Sequence, residues 1–548
     1  MLNLKSAYFY FLAIKINLIK IIKKIYFTTE FYNKSLKSKI PQQFYFFPNP
    51  FLLSSITSYK NFSLQITQLN LNNFWNKKIS QFEEERINSF LWLNLIDRKN
   101  ESLIIQKIIT LWINKHSKYK KVIWENPIIS RRVISWILNA DIILDNTDVH
   151  FKQIFLQSII IQTNHLKKNI KFEKNNSKKI EILAAIILSG LVFKEYQENF
   201  DSGLKELEIL VEDFFDKDGF PLSRNPNHLL KFSKYFILIK ECIKDAHQYV
   251  PDFLDEIIQK NLNCIKYMTT PENKMPLFNG GTEIDMGDFY RYIDNLNYKT
   301  NLVKSIIGGI HILKYKKDIV FLDVGDPPKK SYSKSYQSGP VSFEYYVDGD
   351  KIITNCGFGY NISNKAMLLS RLTSAQSTLS INDTSTVKFE RNKFINKAFG
   401  NSIKNSFKVN GAIIDDNEFE IKTDVTHNAY ENNYGYAHKR EVKIDKKTKN
   451  LIGVDHLINI KSQKIIKYDL RFHLYPGISA VQTMDGNNIL IRLNKNKSLI
   501  FASKNQQLSV EKSIFLGGNK ILNNLCITIT GNLVNKNNKI HWEIRKNI

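Results

Sequence analysis

Four cysteines in 548 residues, Cys242, Cys264, Cys356 and Cys526, lie far apart without CxxC or Cys/His ligand spacing. That excludes a disulfide framework and a zinc finger, and leaves buried free thiols as the expected state. Arginine is scarce: 12 of the 78 basic residues, set against 52 acidic ones for a net charge of +26. With no dense arginine patch, no RNP-type aromatic motif and no helix-turn-helix signature, no specific nucleic-acid partner is expected. The lysine field attracts polyanions without choosing among them. Each arginine in such a chain is a better candidate for bidentate recognition of a carboxylate than any single lysine. No stretch of 18 uncharged apolar residues occurs, so no transmembrane span is expected.

What is present is a large apolar content, 43% hydrophobic and 12% aromatic, which specifies a folded chain. The opening run, MLNLKSAYFYFLAIKINLIKIIKKIYF, has too short an apolar core and too many lysines for a signal peptide, and reads as an amphipathic basic helix. From about Trp75 to His311 apolar residues recur at three and four, as in ESLIIQKIITLWINKH (101–116) and KIEILAAIILSGLVF (179–193), which predicts paired helices. After about Lys314 the pattern alternates, with Asp348-Gly349 and Asp485-Gly486 as hairpin signals, which predicts antiparallel sandwich sheets. The chain is therefore α+β with two domains. The expected limits are 1–74 for the basic helix and lead-in, 75–312 for the helical domain and 313–548 for the β-domain.

Several segments, in order, carry a family resemblance: DGFPLSRNPNHLL (218–230), MPLFNGG (275–281), SFEYYVDGDKIITNCG (342–357), RLTSAQSTLSINDTST (371–386), YGYAHKREVKI (434–444) and LRFHLYPG (470–477). Together they resemble the heparinase II/III-like polysaccharide lyases from about Trp75 to Trp542. The resemblance implies an incomplete (α/α) toroid followed by an antiparallel β-sandwich. It also implies an acidic polysaccharide as partner and β-elimination at a uronic acid. That reaction needs neutralisation of the uronate carboxylate, a base for the C5 proton and an acid for the leaving oxygen.

For substrate binding the candidates are Arg224 and Asn225 in a Pro-containing turn, Asn279 in a Gly-Gly loop, Arg371, and Arg440. For proton transfer they are His228, His427, Tyr436 and His438. The stretch THNAYENNYGYAHKR (426–440) is the densest cluster of such groups, with Tyr430 and Tyr434 besides. On a strand, Tyr434, Tyr436, His438 and Arg440 share one face. Structural alternatives stand beside these readings: a capped, solvated loop at 224–228, an ordinary turn at 279–281, an inter-domain ion pair at Arg371, and a solvated edge for the 434–440 strand. His473 is expected to be a satisfied core histidine.

Where the resemblance implies metal-ligating His and Asp residues, this chain has Gln337, Asn355 and Gln376. Amides are poor zinc ligands, so neither a metal nor another cofactor is expected. Two functions follow: a divergent lyase, or a non-catalytic descendant that binds an anionic cell-envelope glycan. The resemblance implies a periplasmic or envelope setting, whereas the opening helix taken alone points to the cytoplasm.

Overall fold

The computed structural model describes residues 4–57, 75, 81–95, 102–301, 306–462, 465–493, 497–504, 506–534 and 537–546. It divides into two compact units. One comprises Met1–Phe215, Leu230–Leu262 and Asp288–Lys299, the other Asp216–Leu229, Asn263–Gly287 and Thr300–Ile548. Two segments inside the helical stretch of the sequence, 216–229 and 263–287, thus pack with the strands. Residues 58–74 of the expected lead-in lie outside the described residues.

The first unit is helical. Its main helices include Leu4–Thr28, Ser102–His116, Asn126–Leu138, Val149–Asn169, Asn176–Val192 and Gln197–Phe214. Local chemistry sets their starts: Asp148 Oδ1 accepts from the Phe151 N–H at 2.7 Å, and Asn175 Oδ1 accepts from Ser177 at 3.0 Å. Phe90, Trp112 and Trp136 meet edge to face, with ring centroids 5.2–5.9 Å apart. The wholly buried Arg132 lies 4.1 Å over the Trp112 ring and donates to Gln162 Oε1 and the Asn88 carbonyl. Gly190 lets two helices touch, because a Cβ there would stand 2.2 Å from the Phe200 backbone nitrogen.

The second unit is a sandwich of two antiparallel sheets. In one, the strands run in the order Ile310–Tyr315, Asp318–Asp323, Phe343–Val347, Asp350–Thr354, Ile465–Leu474, Leu522–Val534, Gln507–Phe515, with Leu379–Ile381 paired off Ile465–Leu474. In the other they run Ser479–Gln482, Asn488–Arg492, Ser498–Ala502, Asn538–Lys546, Leu451–Asn459, Tyr436–Asp445, Glu420–His427, Val409–Asp416. The Asp348-Gly349 hairpin has φ +49° and +88° at its two central residues, the type I′ signature that the dipeptide predicts. Aromatics from both sheets fill the space between: Phe343 stacks on Trp542 at 5.4 Å, and Phe472 meets the Trp542 edge at 5.0 Å.

The β-region is less uniformly strand than its alternation suggests. Helices Asn364–Leu369 and Lys393–Phe399 interrupt it, started by Ser363 and Asn392, whose side chains accept from backbone N–H groups inside the first turn. Strong local capping wins where no strand partner is offered.

Candidate functional site

The turn Pro221–Asn225 and the loop Leu277–Gly281 lie together in the second unit, joined through Asp323. Arg224 takes a left-handed conformation, φ +57°, at the end of a turn closed by its own N–H to the Pro221 carbonyl at 2.8 Å. Asn225 then caps the helix Pro226–Asp245, its Oδ1 accepting from the Asn227 N–H, with proline at the first helical position.

Arg224 uses every donor it has. Nε donates to the Gly308 carbonyl, Nη1 to Gly325 and Asp326, and Nη2 to Gly309 and the Asp323 carboxylate. Five N–H groups meet five acceptors, so no donor remains for a substrate carboxylate. Gly309 and Gly325 make room for this: a Cβ on either would lie 2.5–2.7 Å from the guanidinium. The expectation that Arg224 holds substrate is thereby corrected. Its charge is consumed by one buried aspartate, and its geometry by the backbone.

Asn279, φ +52°, donates from Nδ2 to Asp323 Oδ2 at 3.3 Å, while its buried Oδ1 has no partner. Beside it the Gly280 N–H donates to Gln337 Oε1 at 2.9 Å. Asn225 Nδ2 reaches Ser335 Oγ at 3.2 Å, and Asn227 Nδ2 reaches Thr282 Oγ1 at 2.7 Å. Asn225 and Asn279 are therefore brought together, but both are almost wholly enclosed. His228 is half-buried, with Nδ1 2.8 Å from Ser223 Oγ.

Arg371 is fully buried. It donates to the carbonyls of Tyr336, Asn401 and Ser333 and lies 4.1 Å over the Phe389 ring. Burial lowers its pKa to about 9. It ties irregular segments of the second unit together and does not present its charge to solvent, so its substrate-binding expectation is corrected in the same way.

The 427–440 constellation is also enclosed. Tyr436, His438 and Arg440 do share a face of the strand Tyr436–Asp445, but that face is the sandwich core, continued by Val442 and Ile444. The hydrogen bonds determine a single set of tautomers. The Ala429 N–H donates to His427 Nδ1 at 3.3 Å, so His427 carries its proton on Nε2 and donates to His438 Nδ1 at 3.0 Å. His438 Nε2–H then donates to Asp455 Oδ1 at 2.6 Å.

Asp455 also accepts Arg440 Nε at 2.8 Å and Nη2 at 3.2 Å, and Trp542 Nε1 at 2.8 Å. Burial alone raises its pKa, but the Arg440 charge and the bonds from His438 and Arg440 hold it well below the usual carboxylate range. Burial keeps both histidines neutral, with pKa values lowered. Arg440 further donates to the Val341 and Ser377 carbonyls at 2.7 and 3.0 Å. His427, His438, Arg440 and Asp455 act as a polar staple inside the sandwich. As placed, His427, Tyr436, His438 and Arg440 cannot touch a polysaccharide, which corrects the expectation of a carbohydrate-facing strand.

Two aspartates hold these clusters, and neither was among the candidates. Asp323 ends the apolar run DIVFLD, and Asp455 sits in the alternating run LIGVDHLIN. An acid on the apolar phase of a strand was the available signal, since a buried carboxylate demands a cation.

The residues at the implied metal positions do not fit a metal. Gln337 Oε1 and Asn355 Oδ1 already accept backbone N–H groups, and Gln376 Nε2 donates to the Ser370 carbonyl. Among the described residues no group of three His, Cys, Asp or Glu side chains converges as a metal site would need.

Residues 306–543 match the family model described as "Heparinase II/III-like, C-terminal". That stretch is a heparinase II/III-like C-terminal domain, and the fold is the helical toroid with β-sandwich of the heparinases. Heparan sulfate lyase HepC from Pedobacter heparinus superposes with a TM-score of 0.64 at 13% identity, covering 94% of this chain and 87% of that one. A heparinase III superposes with a TM-score of 0.67 at 14% identity, covering 91% and 85%. FtsZ-localized protein C of Caulobacter vibrioides is 23% identical over 323 residues, which is 57% of this chain. The match spans about half, 54%, of that relative's length.

Proposed function

We propose that the protein binds an acidic polysaccharide of the cell envelope and leaves it uncut. The observation that carries this reading is the enclosure of the proton-transfer residues. His427, Tyr436 and His438 are 0% exposed, and each ring nitrogen of the two histidines is engaged with its neighbour, a backbone N–H or Asp455. General acid–base catalysis requires the group within hydrogen-bond reach of the proton it moves. The lysine-based charge of +26 supports attraction of a polyanion. A 23% identical relative, FtsZ-localized protein C, carries a name that states a location and no degradative activity.

A second reading, eliminative cleavage of a uronic-acid polysaccharide, is favoured by His228. That residue is only partly buried and follows Asn227, which is bonded to the 280–282 loop. Sizing acidic polysaccharides by gel filtration before and after incubation separates the two. The expected result is salt-sensitive binding with chain length unchanged. Shortening that His228→Ala abolishes would establish the lyase instead.

A further inference from the structure

The helix Leu4–Thr28 presents a surface that the glycan function does not use. It rests on the first unit through a narrow stripe that includes the buried Ala13 and Asn17. The opposite side is apolar and open: Phe11, Ile14, Leu18, Ile21, Ile22 and Ile25 are each 49–65% exposed. At about 100° per residue these six span an arc of about 100°, and Tyr8, Ile19 and Tyr26 widen it to about 160°, with the exposed Lys15 the one charge inside it. Along the axis the face runs about 27 Å from Tyr8 to Tyr26 at 1.5 Å per residue. Phe31, 72% exposed, extends it, its ring 6.4 Å from that of Tyr26.

The same helix contains Lys5, Lys15, Lys20, Lys23 and Lys24 and no acidic residue. Lys23 lies 3.0 Å over the Phe172 ring, and burial together with Lys171 lowers its pKa to about 8. No described helix is long and apolar enough to cross a membrane.

We propose that this helix lies in the plane of an anionic lipid surface, its apolar face sunk at the headgroup boundary and its lysines beside the lipid phosphates. Breadth and charge select this occupant over a second copy of the chain. A paired-helix seam needs only a narrow a/d stripe, with complementary charges at its flanks. Here bulky apolar residues occupy the flanks as well, and two copies would bring lysines together with no acid to answer them. An interfacial helix uses the opposite: a wide exposed apolar face with basic residues in and around it and no acid.

The test is sedimentation of the full chain with vesicles. The chain is expected to co-sediment with vesicles containing phosphatidylglycerol and to be released by salt, and to bind vesicles of phosphatidylcholine alone far less. The double substitution Leu18→Asp with Ile22→Asp, at exposed positions, is expected to cut partitioning roughly tenfold or more while the melting temperature holds. Equal binding to both vesicle types, or to neither, overturns the proposal. So does a concentration-dependent dimer in analytical ultracentrifugation that the double variant dissolves while vesicle binding persists, since the face would then pair two copies.

Discussion

Arg224→Ala removes five hydrogen-bond donors at once and leaves Asp323 buried without its cation. Breaking one side of such a buried pair costs about 3–5 kcal/mol, so the urea midpoint should fall by a corresponding amount. Affinity for acidic glycans should stay as in the parent, because none of those donors faces solvent. An unchanged midpoint with weakened glycan binding would return Arg224 to the substrate. The scarcity of arginine singles this residue out. Its role was not readable, because the acid that claims it stands 99 residues away in a different element. A charge-assisted hydrogen bond from a guanidinium is worth much the same whether the carboxylate belongs to a sugar or to Asp323.

At the scale of elements, both textures were readable: 3.6-residue periodicity before the strand Ile310–Tyr315, and alternation after it. The same alternation decides which face of the strand Tyr436–Asp445 is buried. Lys439, Glu441 and Lys443 occupy one face, Val442 and Ile444 the other, so His438 and Arg440 had to share the core side. The consequence is a pH dependence. His311 and His473 are held at about 4 by burial, and His427 and His438 are also depressed by burial. Below their ordinary value of about 6.5 the unfolded chain takes up protons that the folded chain refuses. Stability should therefore fall as pH falls from about 6.5 to 4, by up to about 1.4 kcal/mol per pH unit for each such histidine. Above about 6.5 these groups contribute no slope. Asp455 acts in a lower window, below about 3.9, where its ordinary carboxylate would take a proton. Urea titrations at pH 7.5, 5.5 and 4.5 check this, and a midpoint unchanged across that range would show that the histidines charge within the fold.

In the whole molecule, a heparinase-type fold encloses the sequence-predicted catalytic side chains other than His228. In the proposed reading fold and chemistry separate, because function lives in a site and not in a topology. Binding should weaken steeply between low and physiological salt, as lysine-dominated surface charge is screened over about 8–10 Å. The measurement that bears most directly on this account is the absorbance of the unsaturated uronate product during prolonged incubation with a panel of acidic polysaccharides, each first shown to bind. No rise above the protein-free control is predicted for any of them. A steady rise, proportional to protein concentration and lost in His228→Ala, would contradict it and make the protein a lyase.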